Sequence, residues 1–162
     1  MCGRTGFLLL GAISVGALDI AEVILFYFYR GVAPTRVLQG VAAGLLGRAS
    51  FEGGMRTAMI GLALHFFIAF VVVLVYHLAA RRWPLLVRRP VIIGALYGLA
   101  VYLVMTYVVV ANSAAASRRT PPWAVTANLL FAHIACVGIP TALSARAAEG
   151  GSQDVNAMNV NL

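Results

Sequence analysis

The chain has 162 residues, of which 62% are hydrophobic and only 10% charged, and its mean hydropathy is +0.92. Soluble domains run about 45–50% apolar and about 25% charged, so this composition excludes an ordinary soluble domain. The net charge of +7 comes from twelve arginines with no lysine; clusters such as Arg81–Arg82 and Arg88–Arg89 sit beside the ends of apolar runs, which points to lipid headgroups and excludes a nucleic-acid groove.

Four apolar stretches are long enough to cross a bilayer, which takes about 20 residues per helix. The expected fold is therefore an all-α membrane protein, four transmembrane helices in a compact bundle, in a single domain over 1–146. The first span runs over about 7–29. Its Phe7–Leu18 portion after Arg4 has the look of a signal-peptide core, but the apolar run continues to Tyr29 through Asp19 and Glu22 without an A-x-A-like cleavage site, so a retained helix is expected.

A shorter helix follows over about 35–48. Pro34 and Thr35 read as its start, and Val37, Val41 and Leu45 recur at helical spacing between Arg36, Gln39 and Arg48. It is expected to lie in the membrane interface, closed by Gly53–Gly54; Gly40, Gly44 and Gly47 leave a re-entrant hairpin open as the alternative. The second, third and fourth spans run over about 55–79, 90–112 and 123–144. Pro140 is expected to kink or end the last. The polar stretch 147–162 reads as a disordered tail.

Aromatic residues fall near the helix ends: Phe26–Tyr29, Tyr107 and Trp123 on one side, Tyr76 and Trp83 on the other. His77, near Arg81, is expected at the same interface. Arginine counts on the two sides tie, and the short, dense Arg81–Pro90 loop tips the expected orientation towards both termini in the cytoplasm. Leu62-x-x-His65 and Leu130-x-x-His133 suggest a faint two-plus-two repeat. Cys2 and Cys136 offer no disulfide framework.

The candidate site is a set of polar groups at mid-membrane depth. Asp19 lies about halfway through the first span, with Glu22 one turn on. His65 and His133 share a depth in the second and fourth spans, and Tyr102 and Thr106 stand near the middle of the third. An Asp at a helix centre costs about 2.5–3.5 kcal/mol on the insertion scale, whereas a Leu returns only about 0.3–0.6. Such groups face the bundle interior and find partners there. Small residues mark the packing faces, Ala58, Gly61 and Ala69 beside His65 and Gly94-x-x-x-Gly98 before Tyr102.

Three uses of this cluster stay open. It is a structural hydrogen-bonded network of carboxylate, imidazole and phenol; or a proton or ion relay through Asp19, Glu22, His65, Tyr102, Thr106 and His133; or a metal or haem site on His65 and His133. No C-x-x-C-H or H-E-x-x-H motif is present, and no other cofactor is expected. No nucleophile–base pair is evident, so an enzyme would require such a bound group. The expected surroundings are the lipid bilayer, with a second copy or a larger membrane partner as possible company.

The stretch Leu64-His65-Phe66-Phe67-Ile68-Ala69-Phe70, with Tyr76, Trp83-Pro84, Gly94-Ala95-Leu96 and His133, resembles bacterial inner-membrane proteins of the YagU-like type. Arg30-Gly31-Val32, Leu38-Gln39-Gly40 and Gly44-Leu45-Leu46-Gly47 are similar to small bacterial four-helix membrane proteins. The resemblance implies a bacterial inner-membrane home and no particular activity.

Overall fold

A computed structural model describes residues 4–116 and 120–160, the side chains of Arg4 and of 151–160 excepted. Cys2, Ser117, Arg118 and Arg119 lie outside the described residues, as do residues 161–162 and most side chains of the expected tail.

Because hydrocarbon offers backbone amides no partner, the apolar runs close their hydrogen bonds internally as helices. Helix α1 spans Arg4–Phe28, α2 Pro34–Leu46, α3 Gly54–Arg82, α4 Leu85–Arg88 and α5 Pro90–Val104. A π-helical turn, Met105–Val109, and a 3₁₀ turn, Val110–Asn112, carry α5 to the end of the third span. The fourth span comprises α6 (Trp123–Phe131), a π-helical stretch (Ala132–Gly138) and α7 (Ile139–Val160). The four apolar helices long enough to cross a membrane are Thr5–Phe28, Gly54–Arg82, Pro90–Asn112 and Trp123–Gly150. The expected bundle, with a short helix between its first two spans, is the observed fold.

Pro34 occupies the first turn of α2, where its missing N–H costs nothing. Gly47 ends the helix with φ 59°, a left-handed conformation that a side chain would strain. Two more glycines with positive φ, Gly31 and Gly54, flank the α2 segment, so each turn that sets its path rests on a residue without Cβ.

Pro140 does not end the fourth span. Its ring denies a hydrogen bond to the preceding turn and crowds the carbonyl four residues earlier. The chain takes up that mismatch in the π-helical stretch immediately before it, and α7 then continues.

The third and fourth spans cross backbone against backbone. A Cβ added at Gly94 would lie 2.8 Å from the Gly138 carbonyl oxygen, and one at Gly98 would run into the His133 carbonyl. Gly138 meets Gly94 and Gly98 in return. This is close backbone packing of the kind small residues allow between membrane helices. Gly61 does the same on α3, where a Cβ would strike the Leu38 carbonyl of α2. Helix α2 is thus packed against α3, with Ala42 and Ala43 buried and the Gln39 amide donating to the Gly54 carbonyl at 3.0 Å. At its far end the Ala114 N–H donates to the Gly44 carbonyl at 3.0 Å, tying α2 to the end of the third span.

Between α3 and the third span the backbones barely approach. Long side chains bridge the gap at one end only. The Tyr97 hydroxyl donates to the Val72 carbonyl at 2.7 Å, and the Tyr76 and Tyr97 rings meet edge-on at 4.8 Å. Tyr76 is 1% exposed and donates to the Leu86 carbonyl, so it is a core residue rather than the interfacial aromatic expected. His77 is also buried. Its Nε2 donates to the Ser144 hydroxyl at 2.9 Å, and Ser144 in turn donates to the Thr141 carbonyl. Trp83, Tyr107 and Trp123 remain exposed, as expected of helix-end aromatics.

Candidate functional site

At the other end the same gap stays open as a cavity of about 880 Å³. All four spans and α2 line it. It reaches from Val15, Val72 and Val101 in the bundle interior to Tyr27, Leu45 and Ala115 beside α2. Asp19 and Tyr27, both on its wall, are eight residues apart on α1, or about 12 Å at 1.5 Å per residue. Beyond the inner end the packed cluster Ala12, Val15, Val73, Val101 and Val137 closes the bundle.

Three of the six expected site residues, Asp19, His65 and His133, line this cavity towards its inner end. They come from three different spans. His65 Nδ1 lies 3.9 Å from Asp19 Oδ2, within ion-pair range but beyond a hydrogen bond. His133 stands on the same wall from the fourth span. The other oxygen, Asp19 Oδ1, is buried with no hydrogen-bond partner.

The backbone fixes which ring nitrogens remain available. A carbonyl only accepts, so His65 Nε2–H donates to the Gly16 oxygen at 2.8 Å and Nδ1 is the protonatable nitrogen facing Asp19. His133 Nδ1–H likewise donates to the Leu129 carbonyl at 2.8 Å, leaving Nε2. The π-helical stretch carries His133, and the Gly98 crossing presses on the backbone of that residue. Pro140, the π turn and the glycine crossing therefore set its position together.

The hydrogen-bonded carboxylate–imidazole–phenol network expected from the sequence is not formed. Both imidazoles spend an N–H on backbone carbonyls, and the side chains of Asp19 and His65 are 18% and 12% exposed rather than sealed in a core. Glu22 does not join Asp19. Its Oε2 accepts from Asn128 Nδ2 at 3.3 Å, across to the fourth span. Tyr102 is buried with its ring edge-on to His133 at 5.8 Å, beside the cavity but not on its wall. Thr106 is half-buried and also off the wall.

For a metal, no set of three or more His, Cys, Asp or Glu among the described residues is grouped to hold an ion. What the sequence did not reveal is the contribution of α2. Arg36, Val37, Gly40, Val41, Gly44 and Leu45 all face the cavity. The i, i+4 spacing of Gly40 and Gly44 was the available signal, and a Cβ added at either would meet nothing within 4 Å.

A neutral His65 points a lone pair at Asp19, so an ionised carboxylate there is repelled. One added proton, on either partner, turns the repulsion into attraction.

No family model, curated protein or solved structure matches this chain. By its four apolar helices it is a multi-pass membrane protein.

Proposed function

We propose that this protein moves protons or small ions in a bacterial inner membrane, using Asp19 and His65 as a one-proton site that loads from the α2 side. The bacterial location follows from the resemblance to YagU-like proteins. The observation that carries the functional reading is the carboxylate of Asp19, on a residue that lines an open cavity: one oxygen 3.9 Å from His65 Nδ1 and the other buried without a partner. A purely structural carboxylate would be expected to satisfy both oxygens, because an unsatisfied buried acceptor costs about 1–3 kcal/mol.

The groups acting on that proton are few. Glu22 lies on the same helix, His65 faces it from α3, and His133 lines the same wall from the fourth span. Among the described residues Arg36 is the one arginine on the cavity wall. Because packed valines and the Tyr76–Tyr97 pair close the far end, the site is a carrier-type site open to one side, not a pore. Proteoliposomes under an imposed potential should take up protons faster than empty vesicles, and Asp19→Asn should abolish the difference. No uptake in the parent, or uptake untouched by Asp19→Asn and His65→Gln, would remove the reading. A loss of thermal stability in those variants without any flux to lose would instead mark Asp19 as structural.

A further inference from the structure

We infer that the cavity binds a lipophilic monocation that exchanges for the proton held by Asp19 and His65. The inference rests on the proton reading above and adds the class of occupant. Three features of the cavity specify it.

The first is size and lining. About 880 Å³ lies within the range of small-molecule pockets, about 300–1,000 Å³, and the wall is mostly aliphatic and aromatic. Val15, Ile20, Val41, Ile68, Val109 and Val137 can desolvate an apolar body but offer nothing to a small hydrated ion. Hard cations such as magnesium or calcium take about six to eight oxygen ligands, and among the described residues Asp19 is the one acidic side chain on this wall.

The second feature is charge. Without its proton, the Asp19–His65 pair carries one negative charge near the inner end. That charge suits a single positive centre and repels an anionic amphiphile. Arg36 lies among the residues of the wall on α2, on the opposite side of the cavity from the interior valines. The third is the Asp19 carboxylate itself: its side chain is 18% exposed and lines the cavity, while its buried Oδ1 has no donor of its own. An occupant with an amine donor at one end of an apolar body about 12 Å long meets all three conditions.

One cation entering as one proton leaves keeps the site neutral in both states. Proton and cation then compete, so binding weakens in acid. Among the described residues the titratable groups around Asp19 are Glu22 and Tyr27 on its own helix, His65 on α3, Tyr102 on the third span and His133 and Cys136 on the fourth, and Arg36 is the charge contributed by α2.

Ethidium, a planar monocation with aromatic amine donors, is the probe. Its fluorescence anisotropy is titrated against the full-length protein in a neutral detergent, with empty micelles subtracted. The parent should bind saturably and release about one proton per ethidium in weakly buffered medium, as expected of exchange at a single protonatable pair. Asp19→Asn, which keeps the volume and removes the charge, should weaken binding at least tenfold. Gly40→Leu and Gly44→Leu add side chains where a Cβ meets open space, so they should fill the cavity and weaken binding without touching Asp19. Absence of saturable binding by the parent, or equal binding by all variants, overturns the proposal, as does a copurified phospholipid that ethidium does not displace. If ethidium fails while ligand-free vesicles still take up protons through Asp19, the occupant is wrong and the proton site stands; if neither occurs, both fall.

Discussion

Two glycine pairs with the same spacing behave in opposite ways. Gly94 and Gly98 in the third span are pressed against the backbone of the fourth, with no room for a methyl group. Gly40 and Gly44 in α2 face empty volume. In the first case the missing side chains let two helices touch; in the second they leave space for something else. The comparison shows that a small-residue face in a membrane helix means either contact or cavity, depending on whether a backbone stands opposite. Here the third span has a backbone opposite it on the fourth, while α3 and the third span diverge and leave α2 facing their gap.

The sharpest way to break this comparison is Gly98→Val. Its side chain would have to displace the His133 carbonyl, and overpacking typically costs about 1–3 kcal/mol, occasionally more. With backbone rather than a flexible side chain in the way, the upper end of that range or outright failure to fold is expected. Thermal unfolding in detergent would show it. A variant with unchanged stability would mean the third and fourth spans do not cross there.

Next in size is Gly61→Leu, which would push α2 off α3 at Leu38. Helix α2 can relieve the clash by shifting outward, so a loss of about 1–2 kcal/mol is expected. Limited proteolysis should cut between Gly31 and Gly54 faster than in the parent. If it does not, α2 is held by something other than its packing on α3. A smaller effect is expected from Tyr97→Phe, which removes the hydroxyl bonded to Val72 at the closed end of the gap. Interhelical hydrogen bonds in membranes average about 0.6 kcal/mol and reach about 1.7, so a modest drop in resistance to denaturing detergent is the outcome.

The sequence discloses the spans because length and hydropathy are local properties, and the four apolar helices start within a few residues of the expected positions, although the last runs on past the expected end at 144. Asp19, His65 and His133 were legible for a related reason: a costly polar group at mid-depth has few places to go except inward. Their partners were not legible. Nothing in the spacing announces that His65 Nε2 is claimed by Gly16, or that Glu22 turns to Asn128, because each depends on how helices far apart in sequence are rotated. The burial of Tyr76 and His77 was not legible for the same reason: nearness to a helix end says nothing of α7 and α4 covering them. Pro140 is the instructive intermediate. Its chemistry correctly predicts a disturbance, but only the structure shows the disturbance spread over Ala132–Gly138, where it helps place His133.

The smallest expected effect on stability is also the one that tests the comparison from its other side. If Gly40 and Gly44 differ from Gly94 and Gly98 only in having no backbone opposite, then enlarging them should cost nothing. Gly40→Leu and Gly44→Leu place their first carbon in open space, and both positions lie inside helix α2, where glycine is about 1 kcal/mol worse than alanine. The change in unfolding free energy should therefore lie between zero and about 1 kcal/mol in the stabilising direction. Measured beside Gly98→Val under the same conditions, the two pairs should move apart by several kcal/mol despite their identical spacing. Equal destabilisation at both pairs would mean that α2 packs against a neighbour along that face, and the space between α3 and the third span would then be filled by the protein itself.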